Sequence, residues 1–283
     1  MRRPTPRTRV AATATAAVLL MLLSACSTPT DARPRPTAPG PDGDGVRRPA
    51  AGAVFDYQLG GAYRPAGDVE AVSRDRGAEP VPGLYNICYV NAFQAQPGDA
   101  VAWWRTKHPD LLLRGHDGEL VVDEDWDEPL FDLSSDGKRR SLLGVVGPWI
   151  DGCAERGFHA VEPDNLDSYT RSDGLLTEAD AVAFARLLAD RAHARGLAIA
   201  QKNTTQLLDR HGDIGFDFAV VEECARYDEC SGFTRAYDGR VFDVEYEKED
   251  FAAACRTWPR LSVVLRDRDV RPAGEPGHVR ATC

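Results

Sequence analysis

The 283-residue sequence has no excess of basic residues: Lys and Arg number 34 against 44 Asp and Glu, a formal net charge of −10. A nucleic-acid-binding surface normally carries a basic stripe, so no nucleic-acid partner is expected. An acidic surface attracts cationic partners instead. No apolar run reaches the roughly 20 residues that a membrane-spanning helix needs. CxxC pairs and an HExxH motif are absent. The six His (His108, His116, His159, His193, His211 and His278) are scattered, so neither a metal nor another cofactor is expected. No GxSxG elbow occurs, and nothing like GxGxxG follows the early apolar runs, which argues against a serine hydrolase and a dinucleotide-binding fold. No internal repeat is visible. What remains, 43% hydrophobic and 28% charged residues, is the composition of a globular protein.

The N-terminus reads as an address. Arg2, Arg3, Arg7 and Arg9 precede an apolar stretch from Ala11 to Leu23, which is too short to span a bilayer comfortably. It ends in Leu23-Ser24-Ala25-Cys26. Small residues before a Cys resemble the lipobox of bacterial lipoproteins, in which the Cys is lipidated after cleavage. The expectation is export, with a signal peptide over 1–25 and a lipid anchor at Cys26 on the outer side of the cell membrane. Residues 26–52 are rich in Pro, Gly, Asp, Thr and Ala and read as a tether. The folded domain is expected over 53–283.

Six further Cys remain, an even set suited to an oxidising compartment: Cys88, Cys153, Cys224, Cys230, Cys255 and Cys283. Fifteen pairings are possible. Cys224–Cys230 is favoured because it closes a short loop, followed by Cys88–Cys153 and Cys255–Cys283. Oligomeric state is not readable.

Eight apolar, β-branched or aromatic runs are predicted as strands: 54–59, 69–74, 84–91, 158–162, 197–202, 218–222, 241–246 and 262–266. Helical stretches lie between several of them. Thr177 to Arg195 is the clearest, with Thr177 and Asp180 as a capping box, Gly196 at the end, and Val182, Phe184, Ala185, Leu188 and Ala192 on one face. Leu142 to Arg156, before Gly157, reads similarly. Alternating buried strands and helices imply a parallel sheet, and eight strands at this length predict a (β/α)8 barrel. The interval Gly60–Asp68 is too short for a crossover helix, so the barrel is expected to be irregular at its start; a doubly wound open sheet is the alternative.

Four of these runs end in polar clusters: Glu162-Pro163-Asp164-Asn165, Gln201-Lys202-Asn203, Glu222-Glu223-Cys224, and Leu84–Val90, which carries Asn86 and Tyr89 and leads to Asn91. In a barrel these ends form one rim, where active sites sit. The fourth and sixth strands bring Asp164 and Glu222 to that rim. Two facing carboxylates suit glycosidic cleavage. A Lys such as Lys202 among acids is read as ion-paired rather than as a Schiff-base former.

The string Val161-Glu162-Pro163-Asp164-Asn165-Leu166-Asp167-Ser168-Tyr169 resembles the VEPDN-x-D-x-Y signature of glycoside hydrolase family 114, which contains endo-α-1,4-polygalactosaminidases. Val221 to Cys230 is similar to that family's NEQC-x-x-Y-x-EC segment. Looser likenesses lie at Phe55–Leu59, Glu128–Ser134 and Gly196–Gln206. The resemblance implies a barrel with Asp164 as nucleophile and Glu222 as acid/base, in a retaining mechanism. It implies sugar subsites lined by Tyr89, Glu162, Asn165, Asp167, Lys202, Asn203 and Tyr227. The implied substrate is an α-1,4-linked galactosamine-containing polysaccharide, cationic when deacetylated. Val221 and Glu223 stand where the family often has Asn and Gln, and His159-Ala160 where it often has Asp-Gly. These departures leave the acid pair intact and alter its neighbours. Two functions follow: a lipid-anchored glycosidase, or a carbohydrate-binding lipoprotein on the same barrel.

Overall fold

A computed structural model describes residues 43–283. The lipidation site Cys26, the export segment and most of the tether lie outside the described residues. The chain runs β1 (Phe55–Gln58), β2 (Ala71–Asp75), β3 (Tyr85–Asn91), α1 (Asp99–Lys107), β4 (Val122–Asp123), β5 (Glu128–Pro129), α2 (Asp136–Arg156) and β6 (Ala160–Asp164). It continues through α3 (Glu178–His193), β7 (Ala198–Lys202), α4 (His211–Ile214), β8 (Phe218–Glu222), α5 (Cys230–Ala236), β9 (Val241–Glu245), α6 (Lys248–Thr257), β10 (Ser262–Arg266) and β11 (Arg280–Thr282).

All eight expected strands form one parallel sheet in the order β1-β2-β3-β6-β7-β8-β9-β10. The sheet curls until β1 lies against β10. At that seam Asp56 meets Arg266 at 3.9 Å and Arg280 at 3.4 Å. The barrel is irregular at its start, as expected: β1, β2 and β3 follow one another without a helix. The sequence count of eight misses a ninth strand, β11, which pairs antiparallel with β10. Arg280-Ala281-Thr282 has no apolar run to announce it. It is placed by the Cys255–Cys283 disulfide and by Asp267, which accepts the backbone N–H groups of Arg271 and Val279.

Strand alternation divides two cores. Facing inward are Phe55, Tyr57, Tyr85, Ile87, Phe218, Val220, Phe242 and Val244, with Ala71, Ala160, Ala198 and Ala200 making room for the rings. Phe55 and Phe242 pack at 4.6 Å between ring centres. Facing the helices are Val90, Val161, Ile199, Ala219, Val221, Val241 and Val263. Because both faces are buried, β8 and β10 read as nearly unbroken apolar runs, while β1, β2, β3 and β9 interrupt theirs with buried polar residues. Packing begins earlier than the expected start near Ala53: Val46 is buried beneath the barrel, and Arg48 pairs with Asp217 at 2.8 Å.

The helix α3 follows its sequence signals. Thr177 and Asp180 form the capping box, and the expected apolar face is buried, a cap contributing about 1 kcal/mol. The helix α2 starts at Asp136 rather than Leu142 because Ser135 caps it, accepting the Lys138 N–H. Its first turns are polar, so they carry no periodic apolar signal. The three favoured disulfides are all present. The Cys88–Cys153 bridge fastens α2 to the outer face of β3 across 65 residues, a loop closure worth on the order of 4 kcal/mol in the chain-entropy account.

Candidate active site

Period-two alternation determines what reaches the rim. On β6, Ala160 faces the barrel interior, so Glu162 and Asp164 face it too, one layer higher each. On β7 the same parity takes Ala198 and Ala200 to Lys202, and on β8 it takes Phe218 and Val220 to Glu222. Three successive strands thus end on charged side chains at the rim. Each is followed by a residue of left-handed backbone: Asn165 (φ 65°), Asn203 (φ 45°) with Thr204 (φ 61°), and Glu223 (φ 57°). Such conformations cost about 1–2 kcal/mol per residue outside glycine, and they collect at functional sites.

Lys202 lies at the centre, only 2% exposed. Its Nζ is 3.1 Å from Glu162 Oε1, 3.2 Å from Asp164 Oδ1 and 3.3 Å from Glu222 Oε2, and it donates to the Tyr57 hydroxyl at 3.0 Å. Burial alone lowers an ammonium's pKa, but the surrounding carboxylates outweigh it and hold Lys202 charged. The hydroxyl of Tyr89 donates to Asp164 Oδ2 at 2.7 Å. Burial pushes the Asp164 carboxyl up; Lys202 and Tyr89 outweigh that, and the group lies below the usual carboxylate value. Glu222 is held separately. Its Oε1 accepts from the Tyr246 hydroxyl, and its backbone N–H donates to Asn203 Oδ1 at 2.8 Å.

The expected site residues divide in space. Tyr89, Asp164, Asn165, Asp167, Lys202, Asn203 and Glu222 line one cavity of about 530 Å³. Tyr227, 61% exposed, stands on the wall of an adjoining 490 Å³ cavity that shares Trp126, Asp167, Asn203, Glu222 and Tyr246 with the first. Glu162 does not line a subsite. It is fully buried below Asp164, where Ser73 Oγ (2.6 Å), Tyr57 Oη (2.9 Å) and Lys202 satisfy it. Burial is the dominant influence on Glu162 and raises its pKa. Asn86 lies at the opposite end of β3 from the rim, donating to the Val81 and Leu84 carbonyls. Glu223 turns away from Glu222 to pair with Arg226 at 3.0 Å and Arg268 at 2.8 Å.

Several participants carry no motif. Ser73 and Tyr246 are found only by extending strand parity to neighbouring strand ends, and Tyr57, inside the loosely family-like Phe55–Leu59, is placed by the same parity. Trp126 and Glu128 come from the β4–β5 ribbon, whose acidic run Asp123 to Glu128 has the look of a solvated loop. Among the described residues, the one cluster with metal-like spacing is Cys224, Cys230 and Asp243. Both its sulfurs are joined in a disulfide, which removes them as thiolate ligands.

Residues 36–283 match the profile of glycoside-hydrolase family GH114. No curated protein is matched by the sequence. Among solved structures, the chain is similar to Aspergillus fumigatus Ega3 in complex with galactosamine: 25% identity, TM-score 0.66, covering 83% of this chain and 97% of that one. It shares its fold with the glycoside hydrolase domain of PelA from Pseudomonas aeruginosa: 17% identity, TM-score 0.56, covering 78% of this chain and 97% of that one. With the profile match spanning the whole barrel, the chain belongs to glycoside-hydrolase family GH114 and is a glycosidase.

Proposed function

We propose that this glycosidase cleaves an α-1,4-linked, galactosamine-containing polysaccharide with retention of configuration, and that it works outside the cytoplasm, anchored through a lipid on Cys26. The observation that carries the chemistry is the shared ammonium. Asp164 Oδ1 and Glu222 Oε2 each touch Lys202 Nζ, at 3.2 and 3.3 Å. The two oxygens therefore lie no farther apart than those contacts laid end to end. Retaining carboxyl pairs are separated by about 5–5.5 Å and inverting pairs by about 6.5–9.5 Å, so this upper bound accommodates the retaining geometry.

In this reading Asp164, kept ionised by Lys202 and Tyr89, attacks the anomeric carbon. Glu222, on the more open side of the cleft, protonates the departing glycosidic oxygen. It then takes a proton from the water that releases the sugar from Asp164. Tyr89 and Tyr246 orient the two carboxyls, and Lys202 balances charge as Asp164 becomes an ester. The acids along the cleft and the galactosamine carried by Ega3 support an amino-sugar substrate. Export and anchoring rest on the basic, apolar and Cys26 segments of the N-terminus.

The test is release of new reducing ends from partly deacetylated galactosaminogalactan by the purified protein, beside Asp164→Asn and Glu222→Gln. Activity in the wild type and its loss in both variants, each still folded, is the expected result. Binding without cleavage by the wild type favours the carbohydrate-binding reading. Anchoring is tested separately by detergent-phase partitioning, which Cys26→Ser is expected to abolish.

A further inference from the structure

The carboxyls around the cleft differ in how they are neutralised. Asp164 and Glu222 share Lys202, and Arg171 holds Asp123 at 2.7 Å and Asp167 at 2.9 Å. Glu128 is different. It lines the same cavity, is only 8% exposed, and makes no ion pair among the described residues. Its Oε2 accepts from Asn91 Nδ2 at 2.8 Å and Asn165 Nδ2 at 3.1 Å. Those amides are tied in turn: Asn91 Oδ1 accepts from Asn165 Nδ2 at 3.1 Å and from the Gln94 N–H at 3.2 Å. Neutral donors therefore fix the orientation of Glu128 without neutralising it, while no protein donor reaches Oε1 among the described residues.

A buried carboxylate without a counter-charge is costly, and the group responds by holding its proton. Burial pushes Glu128 up to about 7, against the pull of Asn91 and Asn165; Asp164 and Asp123 push the same way as burial. The charged groups facing it are Asp164 at the end of β6 and Asp123 on β4, the latter held by Arg171. Both of those carboxylates have a cation of their own, Lys202 and Arg171, so Glu128 alone lacks one, and its missing partner is a cation delivered through the cleft.

The geometry points to Glu128 as the receptor for a substrate ammonium group, which selects the free amine of a 2-amino sugar over its N-acetylated form beside Asp164. This rests on the amino-sugar reading above. An arriving ammonium makes the ionised carboxylate favourable and drives off its proton. An acetamide brings no charge and leaves the carboxyl unpaired, the kind of mismatch that gives binding sites their strongest discrimination.

The experiment is calorimetry at pH 6.5 with a galactosamine trisaccharide and its fully N-acetylated counterpart, in buffers of different ionisation enthalpy. The wild type is expected to bind the amine form at least tenfold more tightly, with proton release. Glu128→Gln is expected to lose both the preference and the proton release, and Glu128→Asp to keep part of each. Equal affinity of the wild type for the two sugars, or an unchanged preference in a folded Glu128→Gln, overturns the inference. Absence of hydrolysis by the wild type overturns the proposed function instead, and the affinity ratio still decides the role of Glu128.

Discussion

The Lys202 ammonium touches both Asp164 and Glu222, while the buried Glu162 holds it from below at 3.1 Å. One cation therefore bridges the two carboxyls proposed to react and favours the ionised form of Asp164. Glu162 is the foundation of that arrangement, since Tyr57, Ser73 and Lys202 all converge on it.

Replacing Lys202 with Met leaves three acids around a dry centre. Breaking a buried pair from one side costs about 3–5 kcal/mol, so a large fall in thermal stability is expected. Activity is expected to fall at least a hundredfold. Lys202 holds the Asp164 pKa down, so its loss moves the acidic limb of the pH–rate profile toward higher pH. Melting curves and a pH–rate profile read the two effects separately.

Tyr89→Phe removes the donor to Asp164, and Tyr246→Phe the donor to Glu222. Loss of one oriented donor to a reacting group costs roughly 10²–10³ in kcat in the best-studied cases. These hydroxyls position rather than react, so about tenfold to a hundredfold is expected, with KM changing less. Steady-state kinetics on one defined oligosaccharide measures the division.

On the outer face of β9, Asp243 and Glu245 are buried together. They accept the backbone N–H groups of Cys224 (3.4 Å) and Ala225 (2.8 Å), in the loop after Glu222. Burial raises Glu245 to about 7 and, with Glu245 beside it, holds Asp243 well above its usual value. The folded protein thus keeps a proton on Glu245 that the unfolded chain gives up near pH 4.5. Stability from this group is complete below about pH 4.5, falls as pH rises, and is gone above about pH 7, a loss of roughly 3 kcal/mol. The melting temperature of the wild type is expected to fall more between pH 4.5 and pH 8 than that of Glu245→Gln. Parallel curves for the two proteins contradict this.

A Cβ on Gly60, just past β1, would meet the carbonyl oxygens of Val270 at 2.6 Å and Asp269 at 2.7 Å. Those residues form the cleft wall facing β1. Gly60→Ala must therefore push the 267–270 turn aside, and a destabilisation of about 1–3 kcal/mol is expected, typical of overpacking. A weakened KM with kcat less affected identifies displacement of the wall rather than of the acids.

The barrel strands were legible because burial on both faces enriches them in apolar, β-branched and aromatic residues, and Asp164, Lys202 and Glu222 because polar residues follow such stretches at the strand ends. Strand β11 was not, since Arg280-Ala281-Thr282 at a sheet edge carries no apolar run and owes its placement to a disulfide and a carboxylate cradle. The depth of Glu162 was not legible either: alternation puts it on the same face as Asp164 but one layer lower, where it is fully buried. The place of Glu128 and Trp126 in the cleft was hidden because a long excursion between β3 and β6 brings them back over the barrel, and no local spacing encodes that return.

Cleavage by Asp164 and Glu222 is proposed to retain the anomeric configuration. Proton NMR of the first-formed reducing end, before mutarotation, tests it most directly. On an α-linked galactosamine polymer the α-anomer is expected to appear first. First appearance of the β-anomer contradicts it, since that outcome requires water to attack directly and leaves Asp164 no role as nucleophile.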